Sequence, residues 1–229
     1  MSPISWLRAT AIAFAALYFG ALFTAPLPEG AYDDERVVGL LSGTGLLGIV
    51  IGGYALVLAG LSALAFTSIL ADMLHRAVPE ASGPALVRAL GTAYGVLLMT
   101  ASALFLAVPM GHVVEELPTA TPSPFRELTM AGFTTLLVAA LLCAGVLVIV
   151  ASLLQRRGGL APRWCTTTAL LIAPLLLIGV GWAPQFLVPI WAILVAFTMR
   201  PEQRDRGRVQ GASAASGGHP SPLGDRSAE

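Results

Sequence analysis

Long apolar runs separated by short polar segments dominate the pattern of this chain. The longest run covers residues 37–71 and carries no charged side chain. As a helix it would measure about 50 Å, whereas the hydrocarbon core of a bilayer is about 30 Å thick. We therefore expect a span over 48–71. Before it we expect a lead-in over about 37–47, which is interfacial, re-entrant or part of a long tilted helix.

Other apolar runs of the same character surround this one, and prolines and glycines punctuate the segments between them. The pattern predicts an all-α fold, a polytopic transmembrane helix bundle. Its six spans are predicted at about 4–25, 48–71, 89–110, 128–154, 165–181 and 184–199. The last two are short and are expected to form a tight hairpin. One long kinked helix over the same block is the alternative.

The composition changes abruptly at Arg200, where glycine, serine, proline and alanine replace the apolar pattern. Residues 1–199 are therefore predicted to form the transmembrane domain and residues 200–229 a disordered cytoplasmic tail. The whole chain is 56% hydrophobic and 11% charged, which is unlike a soluble domain. Its formal net charge of zero gives no reason to expect a nucleic-acid partner. The expected partner is the lipid bilayer. A membrane-protein partner or a second copy of the chain is a further possibility.

The distribution of arginine predicts the orientation of the spans. All 13 basic residues are arginine. With six spans, 11 of them lie on the side of both termini, and only Arg36 and Arg126 lie on the other side with seven of the 13 acidic residues. Because basic loops resist translocation, both termini are predicted to be cytoplasmic.

A stripe of small residues recurs at three- and four-residue steps along the long run. Such stripes let membrane helices approach each other closely. We expect this one to pack inside the bundle, with contact in a homo-oligomer or a substrate groove as alternatives. The stripe consists of Gly45, Gly48, Gly52, Ala55, Ala59 and Ser62.

The pattern nearest to a metal site is His112 with Glu115 and Glu116. In a helix these side chains would share one face at a spacing suited to metal ligands. The favoured interpretation is that they are ordinary polar residues at a membrane interface, so no metal ion or cofactor is expected.

Asp72, His75 and Arg76 also share a helical face, at the end of the long run. A proton-sensitive latch is one interpretation. The favoured one is a local pair between Asp72 and Arg76, with the cations placed near the carboxyl end of a helix.

Two residue types are expected to have structural roles only. Cys143 and Cys165 are predicted to be free thiols, because their predicted depths differ by more than a disulfide allows. The hydroxyl groups of the run TTT at residues 166–168 are predicted to bond to the preceding helical turn.

No ionisable residue lies at depth in the predicted spans. This argues against a proton-coupled transporter, a transmembrane haem and an intramembrane hydrolase. The chain also lacks the lysine that a phosphate-binding loop needs. We expect a non-enzymatic accessory or interaction component of the membrane. A permease subunit working with a separate export ATPase is the alternative, and a lipid-modifying enzyme is disfavoured.

Two segments carry a resemblance to known proteins, residues 156–164 (RRGGLAPRW) and residues 187–191 (LVPIW). With these the layout resembles small bacterial six-span integral membrane proteins of unknown function, of the actinobacterial type. The resemblance covers most of the membrane portion and implies the bacterial cytoplasmic membrane. It implies no substrate and no catalytic residue.

Overall fold

A computed structural model describes residues 2–25, 33–114, 122–178 and 183–199. Within these ranges the chain is helical and contains no strand, which confirms the all-α class. The helices are α1 (Pro3–Thr24), α2 (Asp34–Gly39), α3 (Gly43–Ala77), α4 (Gly83–Val114), α5 (Pro122–Thr134), α6 (Leu141–Gly158), α7 (Arg163–Ile178) and α8 (Leu187–Thr198). A π-helical segment, Thr135–Ala140, joins α5 to α6, and a 3-10 turn, Pro184–Phe186, precedes α8.

Among the described residues, four helical stretches are long and apolar enough to cross a membrane. They are Pro3–Thr24, Gly43–Ala77, Gly83–Val114 and the rod Pro122–Gly158, which includes the π-helical segment. Helices α7 and α8 are also apolar but have only 16 and 12 residues. The predicted tail, residues 200–229, lies outside the described residues.

The longest apolar run differs from the prediction at both ends. Helix α3 is continuous over 35 residues, so it begins before the predicted start at Gly48 and ends after Ala71. The break in the run lies at residues 40–42, not near Leu47. The reason is local: Gly43 has φ +54°, a left-handed conformation that glycine adopts without strain. The predicted lead-in over 37–47 is divided between two helices: residues 37–39 end a short helix, α2, and residues 43–47 begin α3. Helix α2 is capped by the Asp33 carboxylate, which accepts from the Arg36 backbone N–H at 2.8 Å.

Six of the helices form a closed ring. Helix α3 packs against α1 and α4, α4 packs against α6, and α6 packs against α7. Helix α8 contacts both α7 and α1, so the order α1–α3–α4–α6–α7–α8 returns to its start. We call this arrangement the helical ring.

Neighbouring helices of the ring run in opposite directions. At one end, Cys165 Sγ in the first turn of α7 lies 3.3 Å from Thr198 Oγ1 in the last turn of α8. Helices α7 and α8 therefore form an antiparallel hairpin, as the favoured prediction has it. At the same end, Arg8 Nε of α1 donates to the Ala196 carbonyl at 3.3 Å, and the guanidinium lies over the Phe197 ring. We call this the arginine-rich end.

The opposite end carries acidic residues and a small apolar cluster of its own. Asp33, Asp34 and Glu35 lie at the start of α2, and Asp34 pairs with Arg126 of α5. Beneath this pair, the buried side chains of the cluster join α2, α3 and α5; they are Val37, Leu41, Ile49 and Phe125. We call this the acidic end.

Both cysteines are free thiols, as predicted; Cys165 is buried and Cys143 is half-buried. The predicted threonine bonds are also present. The hydroxyl groups at 166 and 167 donate to the Arg163 carbonyl and that at 168 to the Trp164 carbonyl, at 2.9–3.0 Å.

The predicted stripe of small residues divides into two groups. Gly52 and Ala59 are buried, whereas the other four are half-buried. Gly52 faces α1: a methyl group on it would lie 2.7 Å from Ala25 Cβ and 3.1 Å from the Ala21 carbonyl oxygen. The half-buried members are Gly45, Gly48, Ala55 and Ser62.

Helices α3 and α4 approach each other closely at glycines outside the stripe. A methyl group on Gly60 would lie 2.8 Å from the Gly95 carbonyl oxygen, and one on Gly95 would lie 2.9 Å from the Gly60 carbonyl oxygen. One turn away, Gly91 leaves room for the Thr67 side chain. The two backbones thus touch at a point where no larger residue fits.

We expect the substitution Gly95→Ala to lower the free energy of unfolding by about 1–3 kcal/mol, because backbone atoms of α3 would have to move. Thermal unfolding in mild detergent measures this. Gly20→Ala in α1 is the matched control, since its methyl group would meet nothing within 4 Å. Equal unfolding midpoints for the two variants would contradict the close approach.

Candidate functional site

Four large aromatic side chains meet inside the helical ring. Phe14 packs edge-on against Tyr94, with ring centroids 6.1 Å apart, and Phe66 packs edge-on against Trp191 at 6.0 Å. Edge-to-face contacts of this kind are favourable for aromatic rings. Each side chain is at most 2% exposed. We call these four residues the aromatic layer.

The pairing of α1 with α8 places Phe14 and Trp191 at the same level. Arg8 reaches Ala196 at one end of this helix pair, and Phe19 stacks on Phe186 at 5.9 Å towards the other end. Since the helices are antiparallel and rise equally per residue, Phe14 lies level with a residue near 190.

The pairing of α3 with α4 places Phe66 and Tyr94 at a similar level. Thr67 lies against Gly91, and Gly60 lies against Gly95. Tyr94 is therefore within about one helical turn of Phe66. The two aromatic pairs thus form one layer across the ring rather than two separate contacts.

A buried polar pair lies about one turn from the layer, towards the acidic end. The Tyr18 hydroxyl donates to Gln185 Oε1 at 3.3 Å, and both side chains are at most 1% exposed. Tyr18 also contacts the Phe14 ring, with centroids 5.7 Å apart. Gln185 is held by the 3-10 turn that begins at Pro184. The polar pair is thereby attached directly to the aromatic layer.

Three polar atoms of this cluster have no hydrogen-bond partner among the described residues. They are Tyr94 Oη, Trp191 Nε1 and Gln185 Nε2. Leaving a buried polar group unpaired costs about 1–3 kcal/mol. All three can donate a hydrogen bond. Each of them would be satisfied by a hydrogen-bond acceptor such as a carbonyl oxygen or a water molecule. It contains no nucleophile paired with a base.

A second site, a groove, lies at the arginine-rich end, between the α3–α4 turn and the last turns of α6. Its cavity volume is about 360 Å³. Gly83 permits the contact that forms it, because a methyl group there would lie 2.9 Å from the Leu154 side chain. We call this cavity the interface groove. It is lined by Glu80, Ala81, Ser82, Gly83, Val150, Leu153, Leu154 and Arg157.

The predicted pair between Asp72 and Arg76 is not what the structure shows. Asp72 instead forms a salt bridge with Arg88 of α4, and both side chains are about half exposed. The contact between Thr67 and Gly91 explains this, since it brings residue 72 of α3 close to residue 88 of the antiparallel α4. His75 and Arg76 are exposed in the last turn of α3.

Of the metal-site candidates, only His112 is described. It is half-buried in the last turn of α4. Glu115 and Glu116 lie outside the described residues. Over the ranges that the structure covers, no three His, Cys, Asp or Glu side chains come together as a metal site.

The buried cluster could not be predicted from the sequence, because none of its side chains carries a charge that would stand out in an apolar run. A usable signal exists: Tyr18, Tyr94 and Trp191 are amphipathic side chains within different apolar runs, and the chain has only four tyrosines and four tryptophans. Nothing in the sequence shows that they face each other.

Fold and sites together define a helical protein with several helices of membrane-spanning length and a buried aromatic and polar interior. Comparison with protein-family models, with curated proteins and with solved structures finds no match for this chain.

We expect Tyr94→Phe to leave the free energy of unfolding unchanged or to raise it by about 1 kcal/mol, because the hydroxyl lost has no described partner. Tyr18→Phe is the matched comparison. It should lower the free energy by about 1–3 kcal/mol, since Gln185 Oε1 loses its bond. Both are measured by thermal unfolding in detergent. An equal loss in the two variants would show that the Tyr94 hydroxyl is paired.

Proposed function

We propose that this protein is a six-span integral protein of a bacterial cytoplasmic membrane with both termini in the cytoplasm. Two observations support this topology. The six helices of the ring alternate in direction, and 11 of the 13 arginines belong by sequence to the side of the two termini. Basic segments of this kind stay in the cytoplasm.

Within this topology α7 and α8 are short spans. They measure about 24 and 18 Å, against about 30 Å for the hydrocarbon core. Local thinning of the bilayer accommodates such helices at modest cost. Leu171 and Ile178 of α7 are 71% and 67% exposed, which supports direct contact with lipid.

We propose further that the protein is a non-enzymatic accessory or interaction component of that membrane. The observation that carries this proposal is the aromatic layer. Phe14, Phe66, Tyr94 and Trp191 are buried across the middle of the ring. A solute could pass there only if these side chains moved. The predicted spans also carry no ionisable residue at depth, and such residues usually mark coupled transport.

Reporter fusions test the topology. A phosphatase that is active only outside the cytoplasm should be active when fused after residue 30 or 118. It should be inactive when fused after residue 80, 158 or 200. A fluorescent protein that folds only in the cytoplasm should give the complementary pattern. Phosphatase activity after residue 200 would contradict the six-span topology.

The alternative is a permease subunit that works with a separate export ATPase. One observation favours it: the α3–α4 turn and the interface groove place Glu80 and Arg157 at the proposed cytoplasmic face, where such an ATPase would bind.

Purification in mild detergent separates the two functions. We expect the protein to be isolated without a stoichiometric ATPase and without ATP hydrolysis, because the aromatic layer fills the ring interior. Mock-purified membranes from cells lacking the protein serve as the control. A stoichiometric ATP-binding subunit, released by Glu80→Arg but not by Arg156→Gln, would instead establish the permease.

A further inference from the structure

We propose that the interface groove binds one phospholipid whose headgroup carries both a phosphate and a primary amine. This proposal rests on the membrane topology proposed above. It assigns to the groove a ligand that neither the accessory nor the permease function requires.

The lining of the groove changes from apolar to charged along α6. Helix α6 ends at Gly158, and Arg157 lies in its last turn. The apolar lining residues lie about one to two helical turns before that end; they are Val150, Leu153 and Leu154. A phospholipid has the same order, with acyl chains at depth and charges at the surface. The cavity of about 360 Å³ is smaller than a whole phospholipid, so the groove holds the headgroup while the acyl chains continue along Val150 and Leu153 into the bilayer.

Two opposite charges face the groove without a protein partner. Arg157 and Glu80 are both exposed, and no ion pair joins either of them to a described residue. A guanidinium binds phosphate oxygens through parallel hydrogen bonds. A carboxylate on the opposite wall suits an ammonium group. Together they match a zwitterionic aminophosphate headgroup better than an anionic one, which Glu80 would repel.

The shape of the groove is fixed by its backbone. The α3–α4 turn is closed by a hydrogen bond from the Ala81 N–H to the Val78 carbonyl at 3.2 Å. Gly83 then brings the start of α4 against Leu154. A methyl group on Gly158 would lie 3.1 Å from Ala77 Cβ, so the end of α6 also packs against the end of α3. The two charged walls are therefore held in place before a lipid arrives.

Native mass spectrometry of the full chain tests the proposal. The detergent-solubilised protein is incubated with equal amounts of phosphatidylethanolamine and phosphatidylglycerol, and the lipid bound per protein is counted. We expect one phosphatidylethanolamine on the wild-type protein. Arg157→Gln should lower the bound fraction of both lipids about tenfold, as expected for loss of a charge-assisted hydrogen bond. Glu80→Gln should lower the phosphatidylethanolamine fraction only.

Arg156→Gln is the matched control, because Arg156 is an exposed neighbour that does not line the groove. It should bind lipid as the wild type does. Leu153→Trp, which fills the apolar part, should reduce binding of both lipids without touching a charge. Each variant must keep the wild-type unfolding midpoint to be scored.

Equal binding by the Arg157 and Arg156 variants would overturn the proposal, and so would a wild-type preference for phosphatidylglycerol. Either result, obtained with the expected reporter pattern, would overturn the lipid site alone. A failed reporter pattern would overturn the topology whichever lipid is bound.

Discussion

The backbone contact between α3 and α4 is the constraint on which the rest of the structure depends. Gly60 and Gly95 bring the two helices together at a separation that no side chain allows. This contact sets the level of every residue on one helix against the other. It places Thr67 against Gly91, Asp72 near Arg88, and Phe66 near Tyr94. The salt bridge at the arginine-rich end and half of the aromatic layer follow from one pair of glycines.

The interior of the ring contains polar side chains that lower the stability of the fold. Tyr94, Trp191 and Gln185 each bury a polar atom that the described protein leaves without a partner. Phenylalanine or leucine would fill the same space without that cost. Buried polar groups of this kind in native proteins call for an explanation beyond packing. Tyr94 and Trp191 belong to the aromatic layer, and Gln185 is bonded to Tyr18, which contacts the Phe14 ring.

Much of the fold could be predicted from the sequence because the dominant signal is composition. Apolar runs longer than a bilayer core give the helical class directly. The free thiols follow from the different depths of the two cysteines in the predicted spans, and the bonds of the threonine run follow from a local rule; both are observed. The start of α3 could not be placed, because the run contains Gly43, Gly45 and Gly48, and periodicity does not say which of them turns the chain. The partner of Asp72 could not be predicted, because spacing along one helix favours Arg76. The observed partner is Arg88, because the packing of α4 against α3 places Arg88 beside Asp72.

The buried aromatic and polar cluster and the interface groove could not be predicted, because both depend on which helices are neighbours in the ring. Tyr18 and Gln185 are 167 residues apart in the chain, and they meet only because α1 and α8 are adjacent in the ring. The interface groove needs the α3–α4 turn beside α6. In each case the residues are ordinary for an apolar helix or a short turn. What makes a site is the order of helices around the ring, which no local pattern encodes.

The continuity of α3 has a mechanical consequence. Its 35 residues extend about 52 Å, some 20 Å more than the hydrocarbon layer. Unless the helix tilts steeply, ordered turns of it stand in the aqueous phase, so folded surface exists outside the membrane although the connections are short. Because α3 is unbroken, any change in its tilt moves its two ends in opposite directions. The residues around Gly43 and those around His75 are thus coupled through one continuous helix of the ring.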